Sequence, residues 1–594
     1  LLATTPEALQ ETQPWTDPRT GCVVVTDSRL DNREELAGLL GLADRPIDEI
    51  GDAQLIFAAY QKWSDSCPEK LLGDFTFAIW NPATKKIFCA RDQLGVRLFY
   101  YHYLEGRIFA FATRSEALRP LLAEPTALDE GRLADALTDH LEGYDHVSSF
   151  YRDIKRLPPA NSLILQMNSP PVIKSFWQPL QNPPSPFPGT EKQWLEQLEA
   201  LFVEAVQCRL RSHLPIGAML SGGLDSSAVV AIACEKLQHD NKPKLATFSA
   251  VSSHPDCPET RAIRLMQSSF ELSSTEVDPE KSPDLMQAIA AQWPHFDEPF
   301  EASATLVSAQ YLSAQQNNIR IVLDGIDADG LLAEGDFLHE LARAGQWRQV
   351  WRESRASVRF YRSENTLSYF LRPLVSEFLV PRPVRRVVRY LRTQFRKLND
   401  HTQALISPEF AEKIDLQARY QTSAANSAGS KLVNHSMHQA YCVVATSNTV
   451  TAVERYQRQA SRWGIEPRHP FLDRRLVEFC AWLPLELRLR DGYPKWALRE
   501  ALSPYLPREI TWRRGKEHLG GLFTKALWKY SRQALIKDQL HPWLVEATLA
   551  NVQTRFKEIT NLGTGSVVSE NELEPMITLA AVNIWLNALV NSDK

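Results

Sequence analysis

Over the first part of the chain, apolar residues come in short runs of strand length, each closed by a turn signal. Cys22–Thr26 is valine-rich, and Phe75–Trp80, Lys86–Ala90 and Arg107–Phe111 are apolar or alternating runs separated by Asn-Pro, Asp-Gln-Leu-Gly and Glu-Gly turns. Ser162–Met167 and Ile173–Trp177 read as strands too, while Ala53–Trp63 and Leu128–Leu141 carry helical spacing. This predicts a layered α+β domain built on antiparallel sheet. The run Asn182-Pro183-Pro184-Ser185-Pro186-Phe187-Pro188-Gly189 sustains neither helix nor sheet and predicts a linker. The expected division is a first domain at 1–120, a connecting segment and linker at 121–190, and a second domain at 191–594.

Beyond the linker the period changes. A helix over Glu191–Ser212 leads to the apolar strand Ile216–Leu220, a glycine-rich turn and a helix from Ser226 onward. A strand at Leu245–Ala250, a helix at Glu259–Ser268, a strand ending near Val277, another helix and a strand at Ile319–Leu323 follow. Strand–turn–helix units in series predict a parallel sheet with helices on both faces. From about residue 335 the pattern is helical to the end, and no internal repeat is visible.

A chain of 594 residues is too long for one hydrophobic core, which agrees with two or more domains. Its 44% hydrophobic and 23% charged content is that of an ordinary globular protein, and a net charge of −5 gives no electrostatic reason to expect nucleic acid. No apolar stretch of membrane-spanning length and no signal-peptide pattern is expected, which makes the cytoplasm the expected compartment. The eight cysteines are scattered without a CxxC pair, so buried reduced thiols are expected rather than disulfides or a zinc site.

The chemistry gathers at Ser221-Gly222-Gly223-Leu224-Asp225-Ser226-Ser227. An apolar strand there ends in two glycines and three hydroxyl residues at a helix start, which presents backbone N–H groups and the positive helix end to an anion. No Gly-Lys-Ser/Thr follows, so this is not a Walker A loop. A carboxylate inside an anion-binding loop calls for a cation between it and the phosphates, and Mg2+ is the natural one. A second acidic turn, Leu323-Asp324-Gly325-Ile326-Asp327-Ala328-Asp329-Gly330, follows the later strand and should face the same crevice. Asp225 and Asp329 are the expected metal ligands.

The loop resembles the SGGxDS signature of the PP-loop pyrophosphatases, which split ATP between the α- and β-phosphates. Glu466-Pro467-Arg468-His469-Pro470-Phe471-Leu472-Asp473, Lys495-Trp496-Ala497-Leu498-Arg499 and Arg514-Gly515-Lys516 are similar to the E-x-R-x-P-F-L-D, K-x-x-L-R and R-x-K elements of the asparagine synthetase family. Leu72–Trp80 and Ala90–Arg97 resemble its glutaminase-type domain. The resemblance runs over nearly the whole chain. It implies an N-terminal-nucleophile-type antiparallel sandwich, degenerate and shortened at its amino end, followed by an α/β PP-loop domain with a helical C-terminal part. It implies ATP and Mg2+ as cofactors and an AMP-forming ligase that joins carbon to nitrogen. ATP and pyrophosphate contacts are expected at Leu220, Ser221, Gly222, Gly223, Asp225, Ser226, Ser227, Ala250 and Gly325. Lys495 and Lys516 are expected to offset developing pyrophosphate charge.

Departures from the family pattern narrow the activity. Where glutamine-using members carry N-G-E-I-Y-N, this chain reads Asp27-Ser28-Arg29-Leu30-Asp31-Asn32. A carboxylate where an oxyanion must form would destabilise it, and no cysteine nucleophile stands at the amino end, so the first domain is expected to make no ammonia. The family's G-E-G-A/S-D-E loop reads Gly325-Ile326-Asp327-Ala328-Asp329-Gly330, which removes two glutamates, one of them tied to aspartate recognition. The amine then comes from the substrate itself or from a second molecule, and the β-lactam synthetase and lasso-peptide cyclase branches of the family resemble this pattern.

The lasso-type reading is preferred: a precursor peptide's Asp or Glu side chain is adenylated and closed on its own N-terminal amine. A leader-binding protein and a protease are its expected partners, and a small-molecule carboxylate is the other substrate class. The alternatives are a glutamine-hydrolysing asparagine synthetase, with aspartate as substrate, and an inactive scaffold. Members using an internal amine pair a second-loop tyrosine with a glutamate; the tyrosine position here is Ile326, and Glu454 is the expected base, the alternative being that it pairs with Arg455 or Arg458 to hold its helix. Arg382–Lys397, within an insert spanning roughly 351–406, has the pattern of a basic amphipathic helix. It packs on the core or offers peripheral contact to an acidic partner or membrane surface.

Overall fold

The computed structural model describes residues 3–124, 127–138, 141, 145–167, 169–177, 187–332, 337–362, 366–374, 405–428, 447–515, 518–536, 540–561 and 570–592. The basic segment 382–397, Lys516 and most of the proline-rich linker lie outside them.

The first domain is antiparallel. Six strands pair in the order β1 (Trp15–Thr16), β2 (Val23–Leu30), β3 (Gly73–Asn81), β4 (Lys86–Arg91), β8 (Asn161–Gln166), β9 (Val172–Ser175). β5 (Tyr100–Leu104) lies between β6 (Ile108–Ala112) and β7 (Lys155–Arg156) in a second, three-stranded sheet. Inward residues of β2, β3 and β4 pack against the helices Arg33–Leu40 and Asp52–Trp63, through Leu36, Leu55 and Ile56 among others. The opposite face meets the smaller sheet through Ala78, Cys89, Leu163, Phe99 and Tyr101, so the layers run helices, sheet, sheet. The 121–190 segment is not a plain connection. β7, β8 and β9 are integral to the two sheets, with Leu163 opposite Cys89 and Arg156 opposite Tyr100. The expected helix Leu128–Leu141 shrinks to Glu130–Ala136, capped by the Asp129 side chain accepting from Arg132 N at 2.9 Å.

The second domain opens with the helix Glu191–Arg209, started by a capping box of Thr190 and Gln193. Its sheet is wholly parallel, in the order β12 (Ser273–Val277), β11 (Ala246–Ala250), β10 (Ile216–Met219), β13 (Ile321–Leu323), β14 (Glu466–Arg468). The strand order reverses direction between β10 and β13, and the crevice at the carboxyl ends of those two strands is where such sheets bind ligands. Helices flank it with one face buried; Leu224–His239 packs Val230, Ile232 and Ala233 into the core shared with the strands. Helices fill most of the remainder. The helix Glu570–Ser592 corrects the membrane reading. Its stretch Leu573–Asn591 is long and apolar enough to cross a membrane, and 67% of it is buried inside the molecule. Ile577, Ala580 and Trp585 of that helix join the core beside Trp293 and Phe300.

Candidate active site

At the end of β10 the chain turns through Leu220 and Ser221 into Gly222, whose φ of +68° belongs to the left-handed region. A Cβ on Gly222 would stand 2.8 Å from both the Ala262 Cβ and the Ile263 nitrogen, so glycine is required for space as well as conformation. The Ser226 hydroxyl lies 2.9 Å from the Ser221 hydroxyl and accepts the Ser221 N–H at 3.1 Å, pinning the loop to the first turn of its helix. Gly325 packs onto the same turn: a Cβ there would meet the Ser226 nitrogen at 2.8 Å. The two loops predicted from sequence are thus in contact.

They share a cavity of about 470 Å³. Ser221, Gly222, Gly223, Asp225, Ser226, Ala250, Gly325, Asp329 and Lys495 all line it, whereas Leu220 and Ser227 are buried behind it. Lys495, in a left-handed position before the helix Trp496–Ala501, sends its ammonium to Asp225 Oδ2 at 2.5 Å and to Asp329 Oδ1 at 2.8 Å. Two carboxylates therefore converge on one cation-sized position, and Asp225 Oδ1 has no hydrogen-bond partner among the described residues. That donor set, oxygen-only and anionic, fits Mg2+. Sequence reasoning missed two further basic groups at the cavity. Arg513 donates to the Gly222 carbonyl at 3.0 Å, and burial pushes the Arg499 guanidinium down to about 10. Arg499 closes the K-x-x-L-R element, and that position was the signal available in the sequence.

Glu454 is not at this site. It is 1% exposed and wedged between the domains, with Oε1 on Arg91 Nη2 at 2.9 Å, Oε2 on Arg156 Nη1 at 2.6 Å and Arg458 at 3.7 Å. Burial pushes its carboxyl up, but the guanidinium groups of Arg156, Arg91 and Arg458 outweigh that and hold it well below the usual range. A carboxylate so strongly stabilised as an anion is a poor proton acceptor, which corrects the assignment of Glu454 as the base.

A second cavity, about 560 Å³, lies between the domains and is lined by Asp27, Thr76, Arg97, Glu298 and Arg458 among others. Asp27 is 3.4 Å from Arg97, which also reaches Glu466 at 3.2 Å. Arg29, fully buried, donates to Asp31 Oδ1 and Oδ2 at 3.0 and 2.9 Å and to Asp74 Oδ2 at 2.7 Å. Asp31, Cys208 and Asp473 approach one another as a metal trio would. Arg29, Arg209 and Arg475 already supply the positive charge there, and burial pushes the Cys208 thiol up to about 12.

A parallel sheet with an anion-binding loop at its switch point, two acids and a lysine belongs to an ATP-dependent ligase that forms C–N bonds. The chain is a member of the asparagine synthase family, whose model matches residues 197–587, and a glutamine amidotransferase domain model matches residues 2–177. It is similar to asparagine synthetase [glutamine-hydrolyzing] 3 of Bacillus subtilis, with 23% identity over 522 residues, 83% of this chain and 74% of that one. A putative asparagine synthetase [glutamine-hydrolyzing] 2 of Methanocaldococcus jannaschii is 28% identical over 284 residues, 47% of this chain and 52% of that one. Among solved structures, an NAD+ synthetase from Burkholderia pseudomallei aligns at 18% identity and a TM-score of 0.17, over 25% of this chain and 58% of that one. That likeness is too loose to bear on the fold.

Proposed function

We propose that this enzyme adenylates a carboxylate of a lasso-type precursor peptide and closes it on the peptide's own amine, with release of AMP and pyrophosphate. The observation that carries this reading is the buried Arg29. It stands where the family pattern has the glutamate that helps hold glutamine, and it is locked to Asp31 and Asp74. Asp27 beside it adds a carboxylate where an oxyanion would form, so the first domain is an amidotransferase-type domain without ammonia production. In the second domain Ile326 lines the nucleotide cavity and Gly330 has no side chain, which leaves free aspartate without its polar reader. A larger substrate that brings its own amine fits both changes. A leader-binding protein and a protease are the partners this reading calls for.

The chain's own residues divide the work. Backbone N–H groups of the Gly222–Asp225 turn hold the phosphates, Asp225 and Asp329 would hold Mg2+, and Lys495 turns from those acids to the departing pyrophosphate. Mg2+, when bound, offsets triphosphate charge. Lys516 is assigned the same duty as Lys495 from sequence alone. The relatives, glutamine-hydrolysing asparagine synthetases, favour a second reading, glutamine-hydrolysing asparagine synthesis. A glutamate-release assay separates the two: the proposal expects no glutamine turnover with ATP present. Glutamine-dependent AMP formation from aspartate would overturn it.

A further inference from the structure

With Ile326 unable to accept a proton and Glu454 clamped, the acceptor amine lacks a base. A peptide N-terminal amine, with a pKa of about 8, is mostly protonated at neutral pH and must lose a proton before it attacks. The acids lining the nucleotide cavity are Asp225, Asp329, Glu259 and Asp324. Asp225 and Asp329 face Lys495. Glu259 opens the helix that follows β11, on the side of β10 away from the second loop.

Asp324 differs from these. It is the first residue after β13 and His469 the first after β14, so two adjacent parallel strands deliver them side by side at their carboxyl ends. The His469 Nδ1 lies 2.9 Å from Asp324 Oδ1, which also accepts the Ile326 N–H at 3.2 Å. Both side chains are at least nine-tenths buried, at 4% and 1% exposure. Around them, Asp324 Oδ2, His469 Nε2 and the Tyr311 hydroxyl have no hydrogen-bond partner among the described residues. Asp324 lines the cavity, with Tyr311 and His469 buried outside its lining, and a buried acceptor left without a partner there is costly unless a ligand completes it. The ring of Tyr456, which also lines the cavity, stands edge-on to His469 at 6.4 Å.

We infer that Asp324 is the general base that deprotonates the attacking amine, and that His469 is the residue positioning it. Resting on the substrate-amine reading above, the step balances as follows. The Asp324 carboxylate takes one proton from the ammonium, and the freed lone pair forms the C–N bond at the adenylate carbonyl. The C–O bond to phosphate then breaks, AMP leaves with the electron pair, and the surplus N–H proton passes to the AMP phosphate or solvent. His469 donates Nδ1–H to Oδ1 and so fixes the carboxylate. Burial pushes the His469 imidazole down, and Asp324 outweighs that and raises it. The groups facing the pair are Tyr311, Tyr456, Asp327 and Asp74.

The test separates activation from amide formation in the full-length enzyme. Probes are synthetic peptides with a free N-terminal glycine and one Asp or Glu, and in parallel free aspartate with ammonium chloride. Hydroxylamine, neutral at pH 7, traps the adenylate as a hydroxamate without needing a base, and it also reports folding. Asp324→Asn is expected to leave hydroxamate formation within about threefold of wild type and to slow amide closure at least about 100-fold. The residual rate should rise about tenfold per pH unit as solvent deprotonates the amine. His469→Gln, which keeps a donor, should retain closure better than His469→Leu. Equal loss of both products in Asp324→Asn, no loss of either, or selective loss in Glu259→Gln instead would overturn the assignment. Asparagine formation from aspartate and ammonium with no peptide turned over would overturn the ring-closing reading, and the base is then judged on the ammonium rate.

Discussion

Replacing Glu454 with glutamine tests whether this residue is a structural anion or a catalyst. Its carboxylate joins Arg91 and Arg156 of the first domain to Arg458 of the second, at 2.9, 2.6 and 3.7 Å, with almost no solvent access. Removing one partner of a buried charge cluster strands the others and costs about 3–5 kcal/mol. Glutamine keeps the volume and one acceptor oxygen, so the lower end, about 3 kcal/mol, is expected. For a domain of the first one's size that corresponds to a fall in melting temperature of roughly 6–12 °C. Calorimetry of the full-length protein reads the stability, and hydroxamate capture beside amide closure on the folded fraction at low temperature reads the two chemical steps. The folded pKa of Glu454 is depressed, so its stabilisation is fully present above the ordinary glutamate value of about 4.3 and is lost as pH falls toward the folded value. The gap between wild type and Glu454→Gln should therefore be full at pH 7, begin to narrow below about pH 4 and vanish only as pH falls through the depressed folded value. An unchanged melting temperature combined with lost amide closure would refute this reasoning and return Glu454 to the catalytic step.

Gly222→Ala places a Cβ 2.8 Å from backbone and side chain at a positive φ, so ATP-dependent pyrophosphate release should fall at least about 100-fold while the fold, by circular dichroism, persists; near-normal release would sink the loop assignment. Asp225→Asn removes the orphaned Oδ1 acid and a Lys495 partner, and Mg2+-dependent adenylation should drop by several kcal/mol of transition-state stabilisation; more than about a tenth of the wild-type rate would refute the metal assignment.

The sequence by itself determined the local chemistry and most of the elements that carry it. The valine-rich run before Asp27 became the first half of β2, the alternating runs became β3, β4 and β6, and Ile216 to Ser227 became strand, left-handed glycine turn and helix. Period-two and helical spacing are short-range properties, and a glycine-rich loop after an apolar strand has few other uses. β14 was invisible because Glu466-Pro467-Arg468 has no strand pattern. It exists since Arg468 Nε meets Glu466 Oε1 at 2.9 Å, Arg97 of the first domain reaches the same carboxylate, and β13 supplies the ladder. Glu454 looked like a base in one dimension, since only the folded chain brings Arg91 and Arg156 onto it from more than two hundred residues away. The meeting of Asp324 with His469, 145 positions apart, was likewise decided by strand order alone. Sequence fixes which charges a segment carries. Which charges are neutralised, and which are left facing a substrate, depends on long-range neighbours and the dielectric they create, and that is a property of the tertiary structure.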